Sequence, residues 1–348
     1  MIQYQLKTKQ TEPNTFNLAL TTFRIVFMGT PEFAVSSLDA LVKAGYNIAA
    51  VVTAPDKPAG RGMKMQQSEV KRYALKHNLK ILQPEKLKDP VFLEELKSLN
   101  ADLQVVVAFR MLPEAVWNMP PKGTINLHGS LLPQYRGAAP INWTVINGEK
   151  ETGVTTFKLK HEIDTGDILL QESFPIDENE TAGEVHDRMK EIGAQLLVKT
   201  VQGLVEGTLT ETPQSSTVRS ETSDTGSRLT VTQSEAKGHD SRLLKHAPKI
   251  FTATCRIDWS KSINEIHNLI RGLSPFPGAF TELGDKTIKI FLSEKENSVP
   301  TSKPGRWESD KKTYLKFAAK DGYIYLKDVQ LEGKKRMNIE DFLRGYRF

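Results

Sequence analysis

Cysteine is nearly missing from this chain of 348 residues. Cys255 stands alone, which excludes an intramolecular disulfide and any zinc site built on cysteine, and nothing near it suggests an activated thiolate. Long apolar runs are missing as well. Residues 1–22 are polar, without the apolar stretch of a signal peptide, and no later segment is apolar for long enough to span a bilayer. No membrane role is expected, and a cytoplasmic location is. The glycine fingerprint of a dinucleotide fold is also broken: a first strand pattern over residues 23–28 runs into Gly29-Thr30-Pro31-Glu32-Phe33, with Pro31 where the second glycine must stand. That weighs against a nicotinamide or flavin cofactor.

What remains has an ordinary soluble composition, 39% hydrophobic and 26% charged, and length for two or three domains with cores of their own. The net charge of +5 is unevenly placed. Residues 248–348 hold 19 Lys and Arg against 13 Asp and Glu, while the chain before them is close to neutral. A basic part joined to a neutral one suggests a polyanionic partner for the former and chemistry in the latter, although lysine-rich surfaces also serve solubility alone.

Residues 1–22 lack periodicity and are expected to be a disordered extension. Strand patterns over 23–28, 48–53, 79–82 and 103–108 then alternate with helical ones after Pro31, over 69–77 and over 89–99. This alternation predicts an α/β fold with a doubly wound, mostly parallel sheet. A long helix is expected over 181–204, where Val185, Met189, Ile192, Leu196 and Val201 recur near helical spacing. The stretch 208–247 is rich in Ser, Thr, Gly and charge and reads as a flexible linker. Beyond it, short strands and one helix predict a small C-terminal β-barrel of the OB-like kind over 248–348. Its aromatics Trp307, Tyr314, Phe317, Tyr323 and Tyr325 are candidates for stacking bases, with core packing the commoner use.

Chemistry concentrates in the stretch from Asn126 to Pro140. Residues 124–128 read as a strand beside 103–108, so Asn126 and His128 share a face at a strand end and Leu127 faces the packing. A further strand over 155–159 runs into a glycine-bearing turn with Asp164. Asn, His and Asp form a set that acyl transfer can use; capping groups are the plainer reading of such residues. The loop Ala54 to Met65 has two prolines, two glycines and the cations Lys57, Arg61 and Lys64. Phosphate or RNA contact is favoured for it, against solvated surface.

These motifs stand in one recognisable order: FMGTPEFA, PDKPAGRG, INLHGSLLPQYRGAAPI, DTGDILLQ, RIDWS and SPFPGA. From Phe23 to its end the chain resembles the methionyl-tRNA formyltransferases. The resemblance implies a formyltransferase catalytic domain over 23–207, joined by the linker to an OB-like tRNA-binding domain over 248–348. It implies formyl transfer from 10-formyltetrahydrofolate to the methionine α-amine on initiator methionyl-tRNA, with tetrahydrofolate released, no metal required, and a monomer as the working form. Asn126 and a protonated His128 would donate hydrogen bonds to the developing oxyanion. Asp164 would orient His128 and receive the amine proton, directly or through water. Ser130, Leu131, Leu132 and Pro133 would contact folate, and Lys57, Arg61 and Lys64 the tRNA. The chain departs from the family pattern at Ala108-Phe109-Arg110, where relatives often carry an Ala-Tyr-Gly-like sequence. A formyltransferase for another amine would share the Asn-His-Asp set without needing both loop and barrel; an RNA-binding protein would share only the barrel.

Overall fold

Apolar strands alternating with amphipathic helices make up the N-terminal part of the computed structural model, which describes residues 22–59, 64–214 and 244–346. Of the expected extension only Thr22 falls among these; Arg61 and the middle of the expected linker lie outside them. The elements begin β1 (Arg24–Gly29), α1 (Glu32–Lys43), β2 (Asn47–Val52), β3 (Lys57–Ala59), β4 (Lys64–Gln66), α2 (Glu69–Lys76), β5 (Ile81–Leu82) and α3 (Pro90–Ser98). There follow β6 (Leu103–Val107), α4 (Glu114–Trp117), β7 (Thr124–His128), β8 (Arg136–Gly137), α5 (Pro140–Ile146), β9 (Glu151–Lys158), β10 (Ile168–Pro175) and α6 (Ala182–Glu206). The last are β11 (His246–Ala247), α7 (Ile263–Gly272), β12 (Ala279–Leu283), β13 (Lys286–Glu296), β14 (Trp307–Ser309), β15 (Leu315–Ala318), β16 (Tyr323–Leu331), β17 (Met337–Asn338) and α8 (Ile339–Gly345).

The chain divides into two compact units. The first holds the residues up to His128 with Thr156–His161 and Lys190–Glu211. Its sheet runs β7-β6-β1-β2-β5, every neighbouring pair parallel. This is the doubly wound arrangement, in which strand order reverses between β1 and β6 and ligands bind beyond the carboxyl ends of the strands. Strands covered on both faces read as unbroken apolar runs, and Ile25, Val26, Phe27 and Met28 are fully buried. Gly29 ends β1 because a Cβ there would stand 2.6 Å from the Cβ of Ala34, so α1 packs directly on the strand end. Helix α3 starts as its sequence directs: Asp89 caps it by accepting the Val91 N–H at 2.9 Å, with Pro90 in the first turn.

The second unit holds Gly129–Thr155, Glu162–Met189 and the chain from Thr212 onward. Its antiparallel sheet has the order β12-β13-β16-β15-β14, with β17 on β16, as the expected small β domain requires. Helix α7 begins with a capping box made by Ser262 and Glu265 and buries Ile263, Ile266 and Ile270 in that domain's core. Trp259 stacks on Phe317 with centroids 4.5 Å apart, and its Nε1 donates to Thr281 Oγ1 at 3.0 Å. Phe317 and Tyr323 are buried, Tyr314 and Tyr325 are half-buried, and Trp307 is exposed.

The stretch expected as linker carries structure at both of its described ends. Thr212 and Ile168 exchange backbone hydrogen bonds at 2.8 and 2.9 Å, and β11 pairs in parallel with β8. Both are contacts to segments distant in sequence, and neither leaves a periodicity in the residues themselves.

Candidate active site

In the first unit, β7 is held at its start by Thr124, whose hydroxyl donates to the Trp117 carbonyl at 2.6 Å, while Leu159 N–H donates to the Thr124 carbonyl at 2.8 Å. In register Asn126 pairs with Val106 and Leu127 with Val107. Ile125 and Leu127 are buried, Asn126 is half-buried, and His128 is buried with its ring edge on Phe157, centroids 6.4 Å apart at 83°. The strand thus brings an amide and an imidazole to its carboxyl end.

Two loops at the same edge of this unit are anchored. Strands β3 and β4 form a short antiparallel ribbon, with Lys57 opposite Gln66, on either side of the segment that contains Arg61. Lys57 is exposed. At the base of the ribbon the Asp56 carboxylate accepts from Lys71 Nζ at 2.7 Å and Gln83 Nε2 at 2.9 Å, and these bonds, Lys71 first, hold its pKa below the usual range. The departure at Phe109-Arg110 is explained in part. Arg110 donates to the carbonyls of Glu85, at 2.9 Å, and Pro84, tying the loop after β6 to the loop after β5. Its Nε is buried and finds no acceptor among the described residues, and burial lowers its pKa. A cavity of about 320 Å³ beside Asp102 and Gln104 lies at the amino end of β6, away from these loops.

In the second unit, the run from Ser130 to Pro133 is fixed through its backbone. Thr155 Oγ1 donates to the Ser130 carbonyl at 2.7 Å and accepts from Leu132 N–H at 3.1 Å and Gln171 Nε2 at 2.8 Å. Gln171 Nε2 also donates to the Leu132 carbonyl at 2.8 Å. The Ser130 hydroxyl is turned inward onto the Gln134 carbonyl at 2.7 Å, and Leu132 is buried. Sequence reading singled out neither Thr155 nor Gln171 as supports. Gln171 closes the DTGDILLQ motif, the one signal that marks it.

Asp164 sits half-buried in the turn before β10 with φ +54°, a left-handed conformation uncommon outside glycine. Its Oδ2 accepts from the Gly137 N–H at 3.0 Å. Gly137 has φ +124°, and a Cβ there would meet the Ala247 carbonyl at 2.5 Å. Around this turn the chain is closely tied: Tyr135 N–H donates to the Lys245 carbonyl at 2.7 Å, and Ala138 N–H to the Ala247 carbonyl at 2.7 Å. Lys245 Nζ and the Tyr135 hydroxyl both donate to Glu149.

Known proteins resemble this chain over both of its parts. The formyl transferase family model matches residues 23–201, and that for the formyl transferase C-terminal domain matches residues 249–347. A methionyl-tRNA formyltransferase of Azobacteroides pseudotrichonymphae is 54% identical over 329 residues, covering 92% of this chain and 95% of its own. That of Bacteroides fragilis (strain ATCC 25285) is 50% identical over 328 residues, with 93% and 95% covered. Among solved structures, the sugar 3N-formyl transferase WlaRD, determined with dTDP and 5-N-formyl-THF, superposes with a TM-score of 0.62 at 22% identity, over 90% of this chain and 99% of that one.

Proposed function

This chain belongs to the methionyl-tRNA formyltransferase family, and on that premise we infer that it transfers a formyl group from 10-formyltetrahydrofolate to the α-amine of methionine on initiator methionyl-tRNA, for translation initiation. The observation that carries the reading is identity of about half over nearly the whole chain, the tRNA-side domain included.

The reaction joins the amine nitrogen to the formyl carbon and breaks that carbon's bond to N10, releasing tetrahydrofolate. 10-Formyltetrahydrofolate supplies the formyl carbon; side chains do the rest. We assign the Asn126 amide as a donor to the oxygen on which negative charge develops, with His128, when protonated, as a second donor. The position of both at a strand's carboxyl end supports the assignment. Asp164 is assigned the proton released by the amine, for delivery to the folate nitrogen. Ser130, Leu131, Leu132 and Pro133 are assigned to folate; their backbone, held by Thr155 and Gln171, offers a fixed edge to a ligand. Lys57, Arg61 and Lys64 are assigned to the acceptor end of the tRNA and residues 248–348 to its body, leaving catalysis to 23–207. The +6 charge of residues 248–348 supports this division. We place the protein in the cytoplasm; among the described residues no helix is long and apolar enough to cross a membrane.

The test is to offer the full chain 10-formyltetrahydrofolate with charged initiator tRNA, or with an amino-sugar nucleotide. Formyl-methionyl-tRNA is the expected product. Transfer to the sugar amine and not to the tRNA would overturn the reading.

A further inference from the structure

We propose that Gln214 is a positioning residue for the turn that bears Asp164, an inference that rests on the assignment of Asp164 to proton transfer. Composition places Gln214 in a linker, yet the backbone exchange between Thr212 and Ile168 brings it alongside the turn that leads into β10. From there its carboxamide uses its full bonding capacity. Nε2 donates to the carbonyl of Asp164 at 3.0 Å and to that of Gly166 at 2.7 Å, while Oε1 accepts from Arg136 Nε at 3.1 Å and Nη2 at 2.6 Å.

Arg136 is followed by Gly137, whose N–H is the donor to Asp164 Oδ2. The contacts therefore close a ring. It runs from Gln214 to the Asp164 carbonyl, through the Asp164 side chain to Gly137, along the backbone to Arg136 and back to Gln214. One end of the ring sets where the Asp164 backbone lies, and the other sets the donor that aims its carboxylate. A left-handed residue at φ +54° is steadied by such support, aspartate being one of the few non-glycine residues that adopt this conformation at modest cost. The chemistry also singles out the side chain. Glutamate accepts from Arg136 but cannot donate to two carbonyls, lysine donates but cannot accept from a guanidinium, and leucine does neither.

In the full chain, Gln214→Leu keeps the bulk and removes every polar contact. Turnover should fall about 10- to 100-fold, the size of effect that a misplaced reacting group produces. The KM values for formyl-folate and tRNA should stay within about threefold, since Gln214 is assigned no substrate contact. Gln214→Glu retains the acceptor for Arg136 and loses both donors, and should be as slow as the leucine variant. The decisive readout is coupling. In an Asp164→Asn background the Gln214→Leu change should cost less than about threefold, because there is no longer a carboxylate to aim. A wild-type rate in either Gln214 variant overturns the inference. So does an undiminished loss in the Asp164→Asn background, which would make Gln214 a support of folding only. Should Asp164→Asn itself turn over at the wild-type rate, the assignment of Asp164 fails, and this inference falls with it.

Discussion

Thr155→Val is the most informative change for the run that we assign to folate. Valine has the shape of threonine and suits a strand, so the variant opens no cavity, and the effect isolates one hydroxyl. That hydroxyl serves three partners: the Ser130 carbonyl, the Leu132 N–H and Gln171 Nε2. Gln171 keeps its second bond, to the Leu132 carbonyl at 2.8 Å, and is only weakened. The Ser130 carbonyl and Leu132 N–H lose this buried partner, at ~1–3 kcal/mol each, so the expected local destabilisation is roughly 2–6 kcal/mol. Amide hydrogen exchange reads it directly, as loss of protection at Leu132, accompanied by a lower melting temperature. A displaced backbone edge should also raise KM for formyl-folate while leaving KM for tRNA unchanged. Thr155→Ser is the control, since it keeps the hydroxyl and loses one methyl, worth ~0.5–1.5 kcal/mol. Equal protection at Leu132 in the valine and serine variants would refute the reasoning. A valine variant that loses protection with unchanged KM would detach this run from folate.

Asp164→Asn should lower turnover by at least ~10²-fold with folate and tRNA affinities held, and steady-state rates near wild type would reduce Asp164 to a turn residue. Binding of initiator tRNA should weaken steeply with salt, log K falling linearly with log [salt] as counterions are released; a flat dependence measured by filter binding would contradict the tRNA role of residues 248–348. His267 is buried, with Nδ1 beside Ser293 Oγ at 2.9 Å and Nε2 beside Asn179 Oδ1 at 3.1 Å; burial, then Lys295 and Arg271, push its pKa down to about 4 against the opposing pull of Glu178. The unfolded chain therefore takes up this proton first, so stability from His267 is complete above pH ~6.5 and declines toward pH 4, with a slope approaching ~1.36 kcal/mol per pH unit. Melting curves of His267→Gln across that window should be flatter than those of the wild type, and superimposable profiles would show that His267 does not titrate as described.

The parts of this structure that are local were legible beforehand. Strand β7 has the bounds its residues imply, β6 stops one residue short of its apolar run, and α3 starts at the Asp89-Pro90 signal. Helix α8, not anticipated, had a readable start, for Asn338 caps it by accepting from Asp341 N–H at 2.8 Å. What stayed hidden depends on tertiary proximity. No period in sequence distinguishes Gln214 or Lys245 from their Ser- and Thr-rich surroundings, because each acts through hydrogen bonds to residues about 50 to 111 positions away. The aromatics of the β domain show the converse. Phe317 has the chemistry to stack bases, but alternation on β15 turns it into the core opposite Ile324, while Tyr323, on the other face of β16, is covered by Lys316, whose Nζ lies 3.8 Å from its ring centroid.

The pairing of β11 with β8 restricts how a gene for such a protein can be recombined. Joining a foreign 3′ segment just after α6 would discard Thr212, Gln214 and the Lys245 to Ala247 strand, and with them partners of Tyr135, Arg136 and Ala138. A crossover that keeps both sets of partners must fall beyond Ala247. The inherited module is thus larger than its sheet, and lineages that exchanged the C-terminal β domain should have carried these two short polar stretches along with the N-terminal part.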